Sequence, residues 1–115
     1  MPVGDFRNKH LDLKINSRRL HERINALAEI SPIDGGGNCR LALTDEDKDG
    51  RDLVVAWMRE LELEITIDAI GNIIGTWNVG SGQAVMSGSH IDTVRTGGRF
   101  DGCYGVLAAL EVIET

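Results

Sequence analysis

Apolar residues return at helical spacing twice in the first half of the chain. Between Asn16 and Ile30 they are Leu20, Ile24, Leu27 and Ala28, with Asn16 or Ser17 placed to cap the first turn. Residues 31–43 then read as a loop, marked by Pro32 and the run Gly35-Gly36-Gly37. Thr44 opens a second helix: its hydroxyl can cap the orphan amides, and Asp45, Glu46 and Asp47 fall in the first turn, where the helix dipole favours negative charge. Leu53, Val54, Trp57, Met58 and Leu61 give that helix its buried stripe. Gly50 inside it costs about 1 kcal/mol against alanine, so its first half is expected to fray. Glu62 follows the second helix without the glycine that would make a left-handed cap free of strain, and a different helix ending is expected there.

The period then changes from helical to alternating. Glu64-Ile65-Thr66-Ile67-Asp68 predicts a half-buried strand, Gly71-Asn72 a turn, and Ile73 to Trp77 a second strand. Asn78 to Gln83 form a loop, and Ala84 to Ser89, small and apolar on both faces, predict a central strand that delivers His90. Gly105 to Glu114 predict a last helix, apolar nearly all round and therefore buried in something larger. Val106, Leu110 and Ile113 on it are expected to need cover from another copy of the chain, or to remain as an exposed patch. The chain stops at Thr115 with no capping glycine or polar tail, the pattern expected of a truncated domain. The fold class is α/β: two N-terminal helices, about three strands of a mixed sheet, then a buried helix.

Composition narrows the function classes. With 115 residues the chain holds one domain, and 42% hydrophobic with 26% charged residues is ordinary for a globular protein. A net charge of -6 repels phosphate backbones and anionic membrane surfaces, so no nucleic acid and no membrane is expected as a partner. Asp5, Arg7, Lys9 and Asp12 interrupt the first residues, leaving no signal-peptide core, and no apolar run approaches the ~20 residues of a membrane span. Cys39 and Cys103 lack paired spacing and read as free thiols of a reducing compartment, so a cytoplasmic location is expected.

The stretch that carries chemistry runs from His90 to Asp101. In open α/β sheets reactive groups gather beyond the carboxyl ends of strands, where His90 and Asp92 fall. A neutral imidazole is a common zinc ligand, and a carboxylate two residues on can accept its other ring N–H. Asp101, just before a helix and among glycines that admit close approach, is a carboxylate that could bridge two divalent cations.

Gly88-Ser89-His90-Ile91-Asp92-Thr93-Val94, with Gly97-Gly98-Arg99-Phe100-Asp101-Gly102 and Gly105-Val106-Leu107, resembles the hydantoinase/carbamoylase branch of the zinc amidohydrolases. That branch is related to co-catalytic metallopeptidases and includes N-carbamoyl-L-amino-acid hydrolases and allantoate amidohydrolases. Asp68-Ala69-Ile70-Gly71-Asn72, Gly75 and the Thr44 helix extend the likeness to about 16–115. The resemblance implies a two-metal hydrolase of a linear amide or ureido C–N bond, acting on a small-molecule substrate with zinc, or alternatively manganese, as cofactor. It further implies that His90 is a ligand of one metal, that Asp101 bridges both, and that Asp92 serves catalysis by steadying His90. A pair of adjacent glutamates, two more histidine ligands and a lid domain that dimerises are family features missing here. By this likeness residues 1–115 are the N-terminal portion of a single catalytic domain, a homo-oligomer is expected, and the 115 residues alone are expected to be inactive. A related metallo-dipeptidase or deacylase, and an inactive folded module that oligomerises, are the competing readings.

Other residues fit simpler roles. Glu111 and Glu114 are expected on a solvated or partner-facing edge of the last helix, and His10 and His21 as exposed polar residues. Cys103 fits a small buried residue beneath the site better than a soft ligand. Arg95 and Arg99 fit either a substrate carboxylate or a solvated loop.

Overall fold

The first helix starts where the sequence puts it. Asn16 takes extended backbone angles and its side chain accepts a hydrogen bond from Arg19 N, which starts α1 at Ser17–Ala28. This computed structural model describes residues 12–115, so His10 lies outside the described residues. Thr44 likewise caps α2, Asp45–Glu60, by accepting from Asp47 N at 3.3 Å, while the Asp47 carboxylate accepts from Leu43 N at 3.0 Å. The hairpin of β1 (Glu64–Ile67) and β2 (Ile73–Thr76) follows, and α3 spans Cys103–Glu114.

Gly50 does not fray α2, which is continuous. The residue is buried, and a Cβ on it would lie 2.9 Å from Cδ of Arg40, so the missing side chain makes room for an arginine. The gain from that close packing outweighs the propensity cost on which the fraying expectation rested.

The ending of α2 corrects a second expectation. Glu62 does adopt the left-handed conformation, at φ 58°. Leu63 N donates to Met58 O at 3.1 Å and Glu62 N to Arg59 O at 2.9 Å, the paired bonds of a Schellman motif. Leu63 then enters the core beside Met58. Burying Leu63 and satisfying two carbonyls outweighs a left-handed glutamate, worth about 1–2 kcal/mol of strain.

The hairpin is antiparallel, with Glu64 opposite Thr76 and Ile67 opposite Ile73. Asp68 closes its turn by accepting from Ile70 N and Asn72 N, and Gly71 supplies a φ of 94°. The chain is α/β as expected, but residues 84–89 form no strand, and two antiparallel strands stand in place of a three-stranded mixed sheet. A segment apolar on both faces needs a neighbour on each edge and cover on each side. Among the described residues nothing supplies either, and Val85 is 98% and Met86 83% exposed.

The core lies between the helices. Leu20, Ile24 and Leu27 of α1 meet Leu107 and Leu110 of α3, with Val54, Leu63 and Cys103 completing the cluster. Leu110 is therefore covered within the chain, and Val106 and Ile113 pack partly against the same core, contrary to the expectation that all three need an outside partner. Among the described residues no helix is long and apolar enough to cross a membrane.

Candidate metal centre

His90 and Asp101 belong to two segments that meet through the loop after α1. Asn38 is buried and spans the gap. Its backbone exchanges two hydrogen bonds with Gly97, at 2.8 and 2.9 Å, and its side chain donates to Ala28 O and Ile30 O at the end of α1. Two residues on, Arg40 N donates to the Thr93 hydroxyl at 2.7 Å, and Thr93 N donates back to Arg40 O at 2.7 Å. Thr93 and Gly97, both downstream of Asp92, are thus tied to the same loop.

Within that frame His90 Nε2 stands 4.0 Å from Asp101 Oδ2. Both side chains are open to solvent, 51% and 78% exposed. His90 Nδ1 lies 3.0 Å from the backbone carbonyl of Asp92 and 3.4 Å from its carboxylate Oδ1. The nearer acceptor is thus the main-chain carbonyl of Asp92 rather than the carboxylate that the sequence pointed to. A carbonyl oxygen only accepts, so Nδ1 is the donor in that contact, and Nε2 is the ring nitrogen turned toward Asp101. His90 sits in a loop rather than at the end of a strand, because residues 84–89 lack ladder partners.

Asp101 owes its place to the residue after it. Gly102 caps α3 at φ 69°, and a Cβ there would fall 2.4 Å from both Cε1 and O of His90. Gly105 is similarly constrained, since its Cβ would meet Ser89 at 2.8 Å. The first turn of α3 therefore rests directly on the chain around His90, which only glycines allow.

The remaining candidates fall elsewhere. Cys103 is buried beneath the site, as expected; burial pushes its thiol pKa up while the Arg40 guanidinium pulls against that, and Arg40 Nη2 donates to Sγ at 3.2 Å. Cys39 is a free, half-buried thiol. Arg99 donates to Asn25 Oδ1 at 2.8 Å, tying the loop to α1, and Arg95 is exposed. His21 is exposed on α1 with Nδ1 2.7 Å from Ser17 O.

Glu111 and Glu114 depart most from expectation. Glu111 is fully buried, accepting from Arg19 at 2.8 and 2.6 Å and from Asn16 N at 2.8 Å, and Glu114 pairs with Arg23 at 2.6 Å. They face Arg19 and Arg23, one helical turn apart on α1, instead of solvent or a partner. The Arg19 hydrogen bond brings the Glu111 pKa down to about 2 against an opposing push from burial, with Asn16 N and the Thr115 hydroxyl helping. Neither carboxylate is free for the site. Among the described residues no group of three or more His, Cys, Asp or Glu side chains is arranged to hold a metal ion.

Sequence reasoning missed Arg40 and Asn38. Both sit in the loop with no periodic signal, and their partners lie more than fifty residues away or in the main chain.

No family model matches the chain. It is 46% identical over 102 residues to an N-carbamoyl-L-amino-acid amidohydrolase of Pseudomonas sp. (strain NS671), a match covering 87% of this chain and 25% of the relative. A ureidoglycolate hydrolase of Oryza sativa subsp. japonica is 38% identical over 103 residues, 87% of this chain and 21% of the relative. Among solved structures, a hydantoinase/carbamoylase family amidase from Burkholderia ambifaria superposes with a TM-score of 0.85 at 45% identity, covering 89% of this chain and 26% of that one. The chain spans about a quarter of the length of the curated relatives it matches.

Proposed function

We propose that this chain, which belongs with the hydantoinase/carbamoylase amidases over the segment it shares with them, supplies part of the metal centre of a hydrolase. Its substrate class is a linear amide or ureido compound, such as an N-carbamoyl-L-amino acid or allantoate, cleaved at a C–N bond. The observation that carries this is the 4.0 Å approach of His90 Nε2 to Asp101 Oδ2, with Nδ1 already committed to Asp92.

The residues fit the metals that this reading requires. An imidazole nitrogen beside a carboxylate oxygen is a donor pair suited to zinc, with manganese the alternative for a carboxylate-rich site. Such ions would polarise the scissile carbonyl and lower the pKa of a bound water to about 7. His90 would hold one metal through Nε2, and Asp101, with two oxygens, would bridge both. Asp92, by accepting from Nδ1, would orient the ring so that Nε2 faces the metal. Glu111 and Glu114 are bound to arginines and so would not serve as the general base, a role this reading gives to a glutamate outside these 115 residues.

Two donors fall short of the three protein ligands usual in a catalytic zinc site. The 115 residues by themselves are expected to bind zinc weakly and to turn over no substrate, and the working enzyme is a cytoplasmic homo-oligomer with more ligands. The test is hydrolysis of N-carbamoyl-L-amino acids, allantoate and dipeptides by the intact protein. Ureido turnover abolished by His90→Ala and by Asp101→Asn is the expected result. Full turnover in either variant would remove the metal reading, and dipeptide cleavage alone would replace the substrate class with that of a metallopeptidase.

A further inference from the structure

Arg40 is among the most deeply buried side chains of the described residues, and it is a cation. Among those residues no carboxylate comes within ion-pair reach of it, although Arg19 and Arg23 both have such partners. A buried charge is costly unless its hydrogen bonds are met, and here they are met by main-chain carbonyls and one sulfur. Nη1 donates to Leu27 O at 3.1 Å and Ile30 O at 2.9 Å, at the carboxyl end of α1, where the helix dipole is negative. Nε donates to Ile91 O at 2.8 Å, and Nη2 to Cys103 Sγ at 3.2 Å.

The last two contacts bear on the site. Ile91 lies between His90 and Asp92, and Cys103 opens α3 two residues after Asp101. One rigid planar group therefore holds the chain on both sides of the gap that His90 and Asp101 face across, while its other nitrogen anchors it to a helix. Lysine could not reproduce this: a single ammonium on a flexible stem cannot reach all four acceptors set around a planar fork. The fit is further enforced by Gly50, which leaves space for the arginine stem.

We infer that Arg40 is a positioning residue that sets the separation of His90 and Asp101 by bridging Ile91 O to Cys103 Sγ. Its importance to metal affinity rests on the function proposed above; the positioning itself does not. It also gives Cys103 a role, as the acceptor on the α3 side rather than a ligand.

The experiment uses the full chain and two readouts. The chain has three histidines, so the His90 ring Cε1–H resonance is assigned by its loss in His90→Ala and followed without metal. His21, exposed on α1, serves as the internal control for general loosening. Cobalt(II) affinity is measured alongside. Arg40→Lys and Cys103→Ala should displace the His90 resonance and leave that of His21 in place, whereas Cys103→Ser, which keeps an acceptor, should restore the wild-type position. His90-dependent cobalt affinity should fall about tenfold or more in the displaced variants, the usual cost of losing support behind a ligand.

A folded Arg40→Lys with an unmoved His90 resonance overturns the inference. If Arg40→Lys does not fold, the Cys103 pair decides: alanine and serine variants that behave alike also overturn it. Displacements as expected, in a protein whose cobalt binding does not depend on His90, would uphold the positioning and sink the metal reading alone.

Discussion

Gly102 lies against the ring of His90 so closely that a single methyl group on it would stand 2.4 Å from Cε1. The contact joins the cap of α3 to the imidazole and fixes where Asp101 leaves the chain. Gly102→Ala is therefore expected to fail twice, through the collision and through a φ of 69° that costs an L-residue about 1–2 kcal/mol. Urea unfolding should show a loss of about 2 kcal/mol or more, and His90-dependent cobalt binding should weaken sharply. Wild-type stability and affinity in this variant would show that the contact does not constrain the ring.

Asp92 presents two oxygens to His90, and the nearer belongs to the backbone. Asp92→Asn keeps that carbonyl, so metal affinity should fall by less than about tenfold, the lower end of what outer-shell partners contribute. His90→Ala should abolish the same binding. Equal losses in isothermal titration of the two variants would mean that the carboxylate itself, and not the main chain, governs the imidazole.

Glu62 occupies a left-handed position that glycine would take without strain. Glu62→Gly should raise stability by about 0.5–1 kcal/mol, the relief of strain less the extra backbone entropy of glycine. Glu62→Val, branched at Cβ, should lower it. Thermal unfolding midpoints ordered Gly, Glu, Val from high to low would bear this out.

Acid should undo the junction of α1 and α3. The Glu111 pKa falls from 4.5 to about 2 in the folded chain, chiefly through the hydrogen bond from Arg19. A carboxyl depressed on folding stabilises fully above its unfolded value, and that contribution disappears as pH drops through the folded one. Stability should therefore decline between roughly pH 4.5 and pH 2. Glu111→Gln should flatten that decline and lower stability at neutral pH, since it removes the buried carboxylate from Arg19, which keeps only Glu114. Parallel acid-dependent slopes for both proteins would place the titration elsewhere.

What could be read from the sequence was what is decided locally. Asn16 and Thr44 announce their helices because a cap needs only the next three residues. His90 and Asp101 were legible through a motif whose glycines, Gly102 above all, encode a close approach. The strand expected at 84–89 was not decidable in this way, because a strand exists only with neighbours and its sequence does not say whether they are there. Glu62 misled because local strain was set against the burial of Leu63, a tertiary gain. Arg40, Glu111 and Glu114 were misjudged or missed for a shared reason: each is a charged residue drawn inward by partners remote in sequence, Arg40 and Glu111 fully and Glu114 in part, and composition alone assigns such residues to the surface.

The empty space at Gly50 binds two positions into a single unit of inheritance. Any side chain at 50 would push the guanidinium of residue 40 away from the end of α1 and from Ile91 together, and a shorter residue at 40 would leave a hollow against α2. As homologous genes diverge, substitutions at these sites should arrive in pairs or be purged, and a lineage with alanine at 50 beside an intact arginine at 40 should be hard to find.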